Sequence, residues 1–83
     1  METDQQEIQR LRQMADRLDC FIEEDFLALS QYTASTAREL RKRGQGPAFS
    51  RLGKRILYPK QAVADFLAAQ VRTPRSQFLR GAL

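Results

Sequence analysis

Apolar side chains recur at helical spacing in four stretches of this chain, with two short strand-like runs between the third and fourth. In the first stretch, residues 5–19, Ile8, Leu11, Ala15 and Leu18 are spaced by threes and fours, and Met14 flanks them. That spacing predicts an amphipathic helix. Thr3 or Asp4 is placed to cap it, with Glu7 three residues after Asp4 as in a capping box. Two heptads are too few for a free coiled coil. The stripe therefore packs on the domain's own core or on another subunit, and the two readings weigh equally. Asp19 to Ile22 reads as a short break with Phe21 and Ile22 buried. Glu23, Glu24 and Asp25 then open a second helix, acids at its positive end, which runs to about Gln31. Phe26, Leu29 and Ser30 share one face, and Leu27 widens it toward the core.

Gln31-Tyr32-Thr33 forms a turn plugged by Tyr32. Thr33 is the expected cap of a third helix, its hydroxyl accepting from the amide of Ser35 or Thr36. That helix ends at Gly44, with Ala37 and Leu40 as its inward pair. After the Gln45-Gly46-Pro47 loop, Phe49–Leu52 and Arg55–Tyr58 read as strands joined by a two-residue turn with Gly53 first. Either Phe49 or Leu52 packs inward. Pro59 suits the first position of a last helix, whose inner face is Ala62, Val63, Phe66, Leu67 and Val71 and which closes against residues 26–30. Thr73-Pro74 stops it. The organisation expected is an N-terminal helix over 1–20, a domain over 21–71 and a basic flexible tail over 72–83.

Composition removes several function classes. At 83 residues the chain is one small domain with a thin core. It has no His and a single Cys, Cys20, so no metal site or intramolecular disulfide is expected, which fits a reducing cytoplasm. With no acid–base constellation either, an enzyme and a bound cofactor are not expected. No apolar run reaches the roughly 20 residues of a membrane span, and the acidic, polar start METDQQE is unlike a secretory signal.

Charge is sorted along the chain. Residues 1–25 carry eight acids against three bases; residues 38–83 carry eleven bases against two acids. Between Thr33 and Lys60, eight bases face only Glu39. Such density on a compact element is the electrostatic footprint of a polyanion partner. A basic helix followed by a basic hairpin is the pattern of a winged helix-turn-helix, mainly α with a small β wing, here with an extra N-terminal helix. In such a fold the first turns of the recognition helix meet base edges. Ser35, Arg38 and Glu39 are therefore base-reading candidates, while Arg41, Lys42 and Arg43 fall nearer phosphate. Arg51, Lys54 and Arg55 stand at or beside the hairpin tip, within reach of the backbone or the minor groove.

From Phe21 to about Ala69 the sequence resembles the excisionase and MerR-like winged helix-turn-helix domains of phages, plasmids and integrative elements. The residues that carry the resemblance are the FI before EEDFLAL, Tyr32-Thr33 with Thr36 and Leu40, the wing GPAF…LG.R.LYP, and AVADFLA. By motif position the resemblance implies a recognition-helix role for Ser35, Thr36, Arg38, Glu39, Arg41 and Lys42, and a wing role for Arg51, Lys54 and Arg55. It implies recombination directionality: binding of double-stranded DNA at repeated sites next to an attachment site, cooperatively, with bending, so that an integrase excises the element. The acidic and basic ends of one chain suit head-to-tail contacts between copies. Many small excisionases lack the N-terminal helix. A transcriptional regulator on the same fold is the alternative, and an adaptor acting through the acidic N-terminal helix is a third reading.

Overall fold

A computed structural model describes residues 2–72, with side chains described from Gln5 on. The elements are α1 (Glu2–Arg17), β1 (Cys20–Ile22), α2 (Glu23–Ser30), α3 (Ala34–Arg43), β2 (Ser50–Leu52), β3 (Arg55–Pro59) and α4 (Lys60–Ala69). This is the mainly helical architecture with a β wing that the sequence predicts. The basic tail expected from residue 72 onward lies, but for Arg72, outside the described residues.

The sheet has three strands rather than two. Its order is β1-β3-β2, antiparallel throughout, with Phe21 opposite Tyr58 and Arg51 opposite Ile56. The break expected at Asp19 to Ile22 is thus a strand. A turn at Leu18-Asp19, with Asp19 at φ 60°, feeds it into the edge of β3. The Lys60 amide ties that edge down by donating to the Asp19 carbonyl at 2.9 Å.

Side chains of a strand alternate between faces, yet Ile56, Leu57 and Tyr58 are all buried. Both faces of the sheet are therefore covered. On one face Ile56 and Tyr58 meet Phe26 of α2 and Val63 of α4, with Phe21, Leu27 and Tyr32 packed around them. On the other, Leu57 and Ile22 meet Ala15 of α1, with Ile8, Leu11 and Cys20 alongside. The stripe of α1 thus packs on this domain's own core. The boundary expected at residue 20 falls inside β1.

Helix α1 starts earlier than expected: Thr3 and Asp4 lie inside it and are not its caps. It also ends earlier. Leu18 leaves the stripe for the turn and is 63% exposed. Leu29 (69% exposed), Leu67 and Val71 likewise do not join the core. Helices α2 and α4 leave an open apolar groove between them, lined by Phe26, Leu29, Tyr32, Val63, Phe66 and Leu67. Pro59 closes β3 and caps α4 rather than opening it, so the helix begins at Lys60.

Candidate nucleic-acid interface

Helices α2 and α3 are joined by three residues. Gln31 caps α2 in the left-handed region, at φ 64°, with its amide on the Leu27 carbonyl. Thr33 caps α3 as predicted: its hydroxyl oxygen accepts from the Thr36 amide at 3.1 Å. At the far end Gly44 takes φ 65°, and its amide and that of Gln45 close the last turn on the Arg41 and Leu40 carbonyls. The direction of α3 is thus fixed at both ends by local chemistry.

Helical spacing sorts the side chains of α3. Ala37 is buried, Leu40 and Arg41 are half-buried, and Ser35, Thr36, Arg38, Glu39, Lys42 and Arg43 are exposed. Residues 35, 38, 39 and 42 recur by threes and fours, so they form one outward face. The Thr36 hydroxyl also accepts from the Thr33 hydroxyl at 3.0 Å, so it is partly engaged in the cap.

The wing is built as its turn chemistry demands. Gly53 has φ 63° and Lys54 does not take a positive φ, the pattern of a turn with glycine first. Neither Phe49 nor Leu52 is buried, but Phe49, at 37% exposed, lies nearer the core. Its ring lies 6.4 Å from that of Tyr58, with the Arg41 guanidinium 5.8 Å above it, while Leu52 is 65% exposed.

One open groove brings the two elements together. Its lining includes Arg38 and Lys42 from α3 and Arg51 and Lys54 from the wing, together with Glu23, Arg41 and Phe49. Among the described residues these four groove cations have no salt-bridge partner, whereas several other bases do. Lys60 pairs with Asp16, and Arg12 grips Asp25 at 2.8 Å. Those contacts raise the affinity of both bases for their protons: the Lys60 ammonium chiefly through its hydrogen bond to Asp16, the Arg12 guanidinium through its hydrogen bond to Asp25. Arg43 faces Glu39 at 3.7 Å, and Arg55 faces Glu24 at 3.8 Å. These last two pairs are exposed enough to hold weakly. Arg55, a wing candidate, thus sits against α2 rather than in the groove.

Arg41 departs furthest from expectation. It is not a free phosphate-binding residue. Its Nη1 donates to Glu23 Oε2 at 2.7 Å and to Tyr58 Oη at 2.9 Å, and its side chain is only 13% exposed. Burial pulls the Arg41 pKa down, but hydrogen bonds to Tyr58 and Glu23 outweigh it and hold the guanidinium charged. Arg41 joins α3 to α2 and to the strand that carries the wing. The signal was present in part, because residue 41 follows Ala37 by four and shares its inner face. Its acid partner, eighteen residues away, has no local signature.

Four acids of the first 25 residues, Asp16, Glu23, Glu24 and Asp25, thus face bases of their own chain. Among the described residues no helix is long and apolar enough to cross a membrane.

No curated protein and no solved structure matches the chain. A family model described as "Helix-turn-helix domain" matches residues 25–71. The match begins in the first turn of α2, ends just beyond α4, and leaves out α1 and β1. It takes in more than half of the chain and both halves of the basic groove, so the protein belongs to this helix-turn-helix family of DNA-binding domains.

Proposed function

We propose that the protein binds double-stranded DNA sequence-specifically, as an excisionase-like recombination directionality factor of a mobile element. The observation that carries DNA binding is the groove in which α3 and the wing present Arg38, Lys42, Arg51 and Lys54, without a salt-bridge partner among the described residues. The outward face of α3 adds Ser35 and Glu39. In the major groove, Arg38 would take guanine in a bidentate contact and Glu39 would accept from cytosine. Lys42, Arg51 and Lys54 would meet backbone phosphate and set the register.

One helix and one wing cover only part of a helical turn, and a single small module buries roughly 600–1,000 Å². That is a thin basis for selecting one genomic site, which favours several copies side by side on repeated sites, with neighbour contacts raising affinity. Half of the acids in the first 25 residues are already engaged within the chain, so a head-to-tail contact draws on what remains, Glu7 and Asp19 among the described side chains. Wings pressing on the backbone at successive sites would curve the duplex, and an integrase would act on that bent DNA. The reading places the protein in the cytoplasm with the DNA.

Footprinting on DNA that flanks the protein's own gene and any neighbouring attachment site tests this. The expected result is a series of direct repeats filling cooperatively, with altered mobility of circularly permuted fragments. A single palindromic site on straight DNA would instead assign a transcriptional regulator on the same fold.

A further inference from the structure

Within the DNA-binding reading, we infer that Glu23 is a specificity-determining residue: it withholds Arg41 from the DNA backbone and so keeps sequence-independent binding weak. Glu23 opens α2, outside the recognition helix, yet it lines the same groove as Arg38, Lys42, Arg51 and Lys54. A carboxylate facing a polyanion is repelled unless a cation neutralises it, and here Arg41 does so at 2.7 Å.

The consequence for Arg41 is geometric. The Tyr58 hydroxyl accepts from the same nitrogen at 2.9 Å, and the guanidinium lies over Phe49 at 5.8 Å. These contacts turn Nη1 inward, where a phosphate competes with Glu23 for it. Three things follow. The groove offers DNA one cation fewer than the sequence suggests. Because nonspecific affinity rises with each phosphate neutralised, the pair lowers binding to every sequence alike. The tie also fixes α3 against β3, which keeps Arg38 and Glu39 in register with the wing for base reading. The first effect lowers sequence-independent affinity, and the second widens the gap between the correct site and random DNA.

The test uses the full chain, with binding measured against salt on a random-sequence duplex and on the footprinted site, and with thermal melting as a folding control. Glu23→Gln keeps the shape and removes the charge. It should bind random DNA severalfold more tightly than the wild type. Its plot of log affinity against log salt should steepen by about 0.9, the signature of one more phosphate contact. The ratio of specific to random affinity should fall. Adding Arg41→Gln should abolish the gain. The double variant provides a second reading: it should keep the random-DNA slope of the wild type, because it loses the carboxylate and the guanidinium together. An unchanged or shallower slope in Glu23→Gln, or a slope shallower than the wild type by about 0.9 in the double variant, would overturn the inference. Either result would leave Glu23 as a brace of the fold or Arg41 as a phosphate ligand. Loss of salt-dependent binding in the wild type itself would instead refute the DNA-binding reading.

Discussion

Tyr58→Ala should lower the melting temperature by roughly 12–40 °C. Tyr58 is 1% exposed, and its ring lies 4.4 Å from that of Phe26 across the main core cluster. Removing a buried aromatic side chain costs about 3–5 kcal/mol. It would also strip Arg41 of one of its two acceptors, since the Tyr58 hydroxyl takes a hydrogen bond from that guanidinium. At roughly 0.05–0.15 kcal/mol per residue, a domain of this length has a total stability of about 4–12 kcal/mol, so the loss equals the whole at the lower end of that range and is a large share of it at the upper. Tyr58→Phe separates the two contributions. It keeps the ring, removes only the hydroxyl, and should cost on the order of 1 kcal/mol, a fall in melting temperature of about 4–8 °C. Circular dichroism during heating checks both. A Tyr58→Ala protein melting within a few degrees of wild type would show that the sheet is not the centre of the core.

Arg38→Ala should have the largest effect on recognition. Arg38 is exposed on the outward face of α3, lines the groove, and has no salt-bridge partner among the described residues. Its removal therefore leaves nothing buried and unpaired, and folding should be untouched. A bidentate contact to guanine is worth about 1–3 kcal/mol of discrimination, so affinity for the specific site should fall between roughly fivefold and 150-fold. Affinity for random DNA should change far less. Titrating both duplexes by fluorescence anisotropy at one salt concentration makes the comparison. Equal losses on both would move Arg38 from base reading to phosphate contact.

What was legible in the sequence was local. The Thr33 cap, the left-handed Gly44 and the Gly53 turn each depend on residues within a few positions, and each appears as expected. Ala37 was recognisable as the inner face of α3 by spacing alone. Strand β1 was not legible. Three residues carry no period, and their partners Leu57 to Pro59 lie more than thirty positions away. Missing that strand left α1 without an evident place to dock, although the buried run Ile56-Leu57-Tyr58 already asks for cover on both faces of a sheet.

Leu18, Leu29 and Leu67 show the opposite error. Each fits a helical stripe, but a stripe specifies only a face. Burial also needs a neighbour of sufficient reach. Helix α1 stops at Arg17 before Leu18 can join it, and α2 and α4 do not close over Leu29 and Leu67. For the site, sequence identified the basic surface but could not rank its charges. Arg41 and Lys60 differ from Arg38, Lys42, Arg51 and Lys54 in the acid the fold brings near them and in their partial burial.

Salt dependence of duplex binding tests the α3–wing groove most directly. The comparison is between the wild type and a variant combining Lys42→Gln, Arg51→Gln and Lys54→Gln, on one random-sequence duplex. With three phosphate contacts from these residues, the wild-type plot of log affinity against log salt should have a slope of about −2.7 or steeper. Between 50 and 200 mM salt that amounts to roughly a fortyfold loss of affinity. In the variant, which should melt like the wild type because all three side chains are exposed, the slope should be shallower by about 2.7. A flat wild-type response, or a variant with the wild-type slope, would contradict the account.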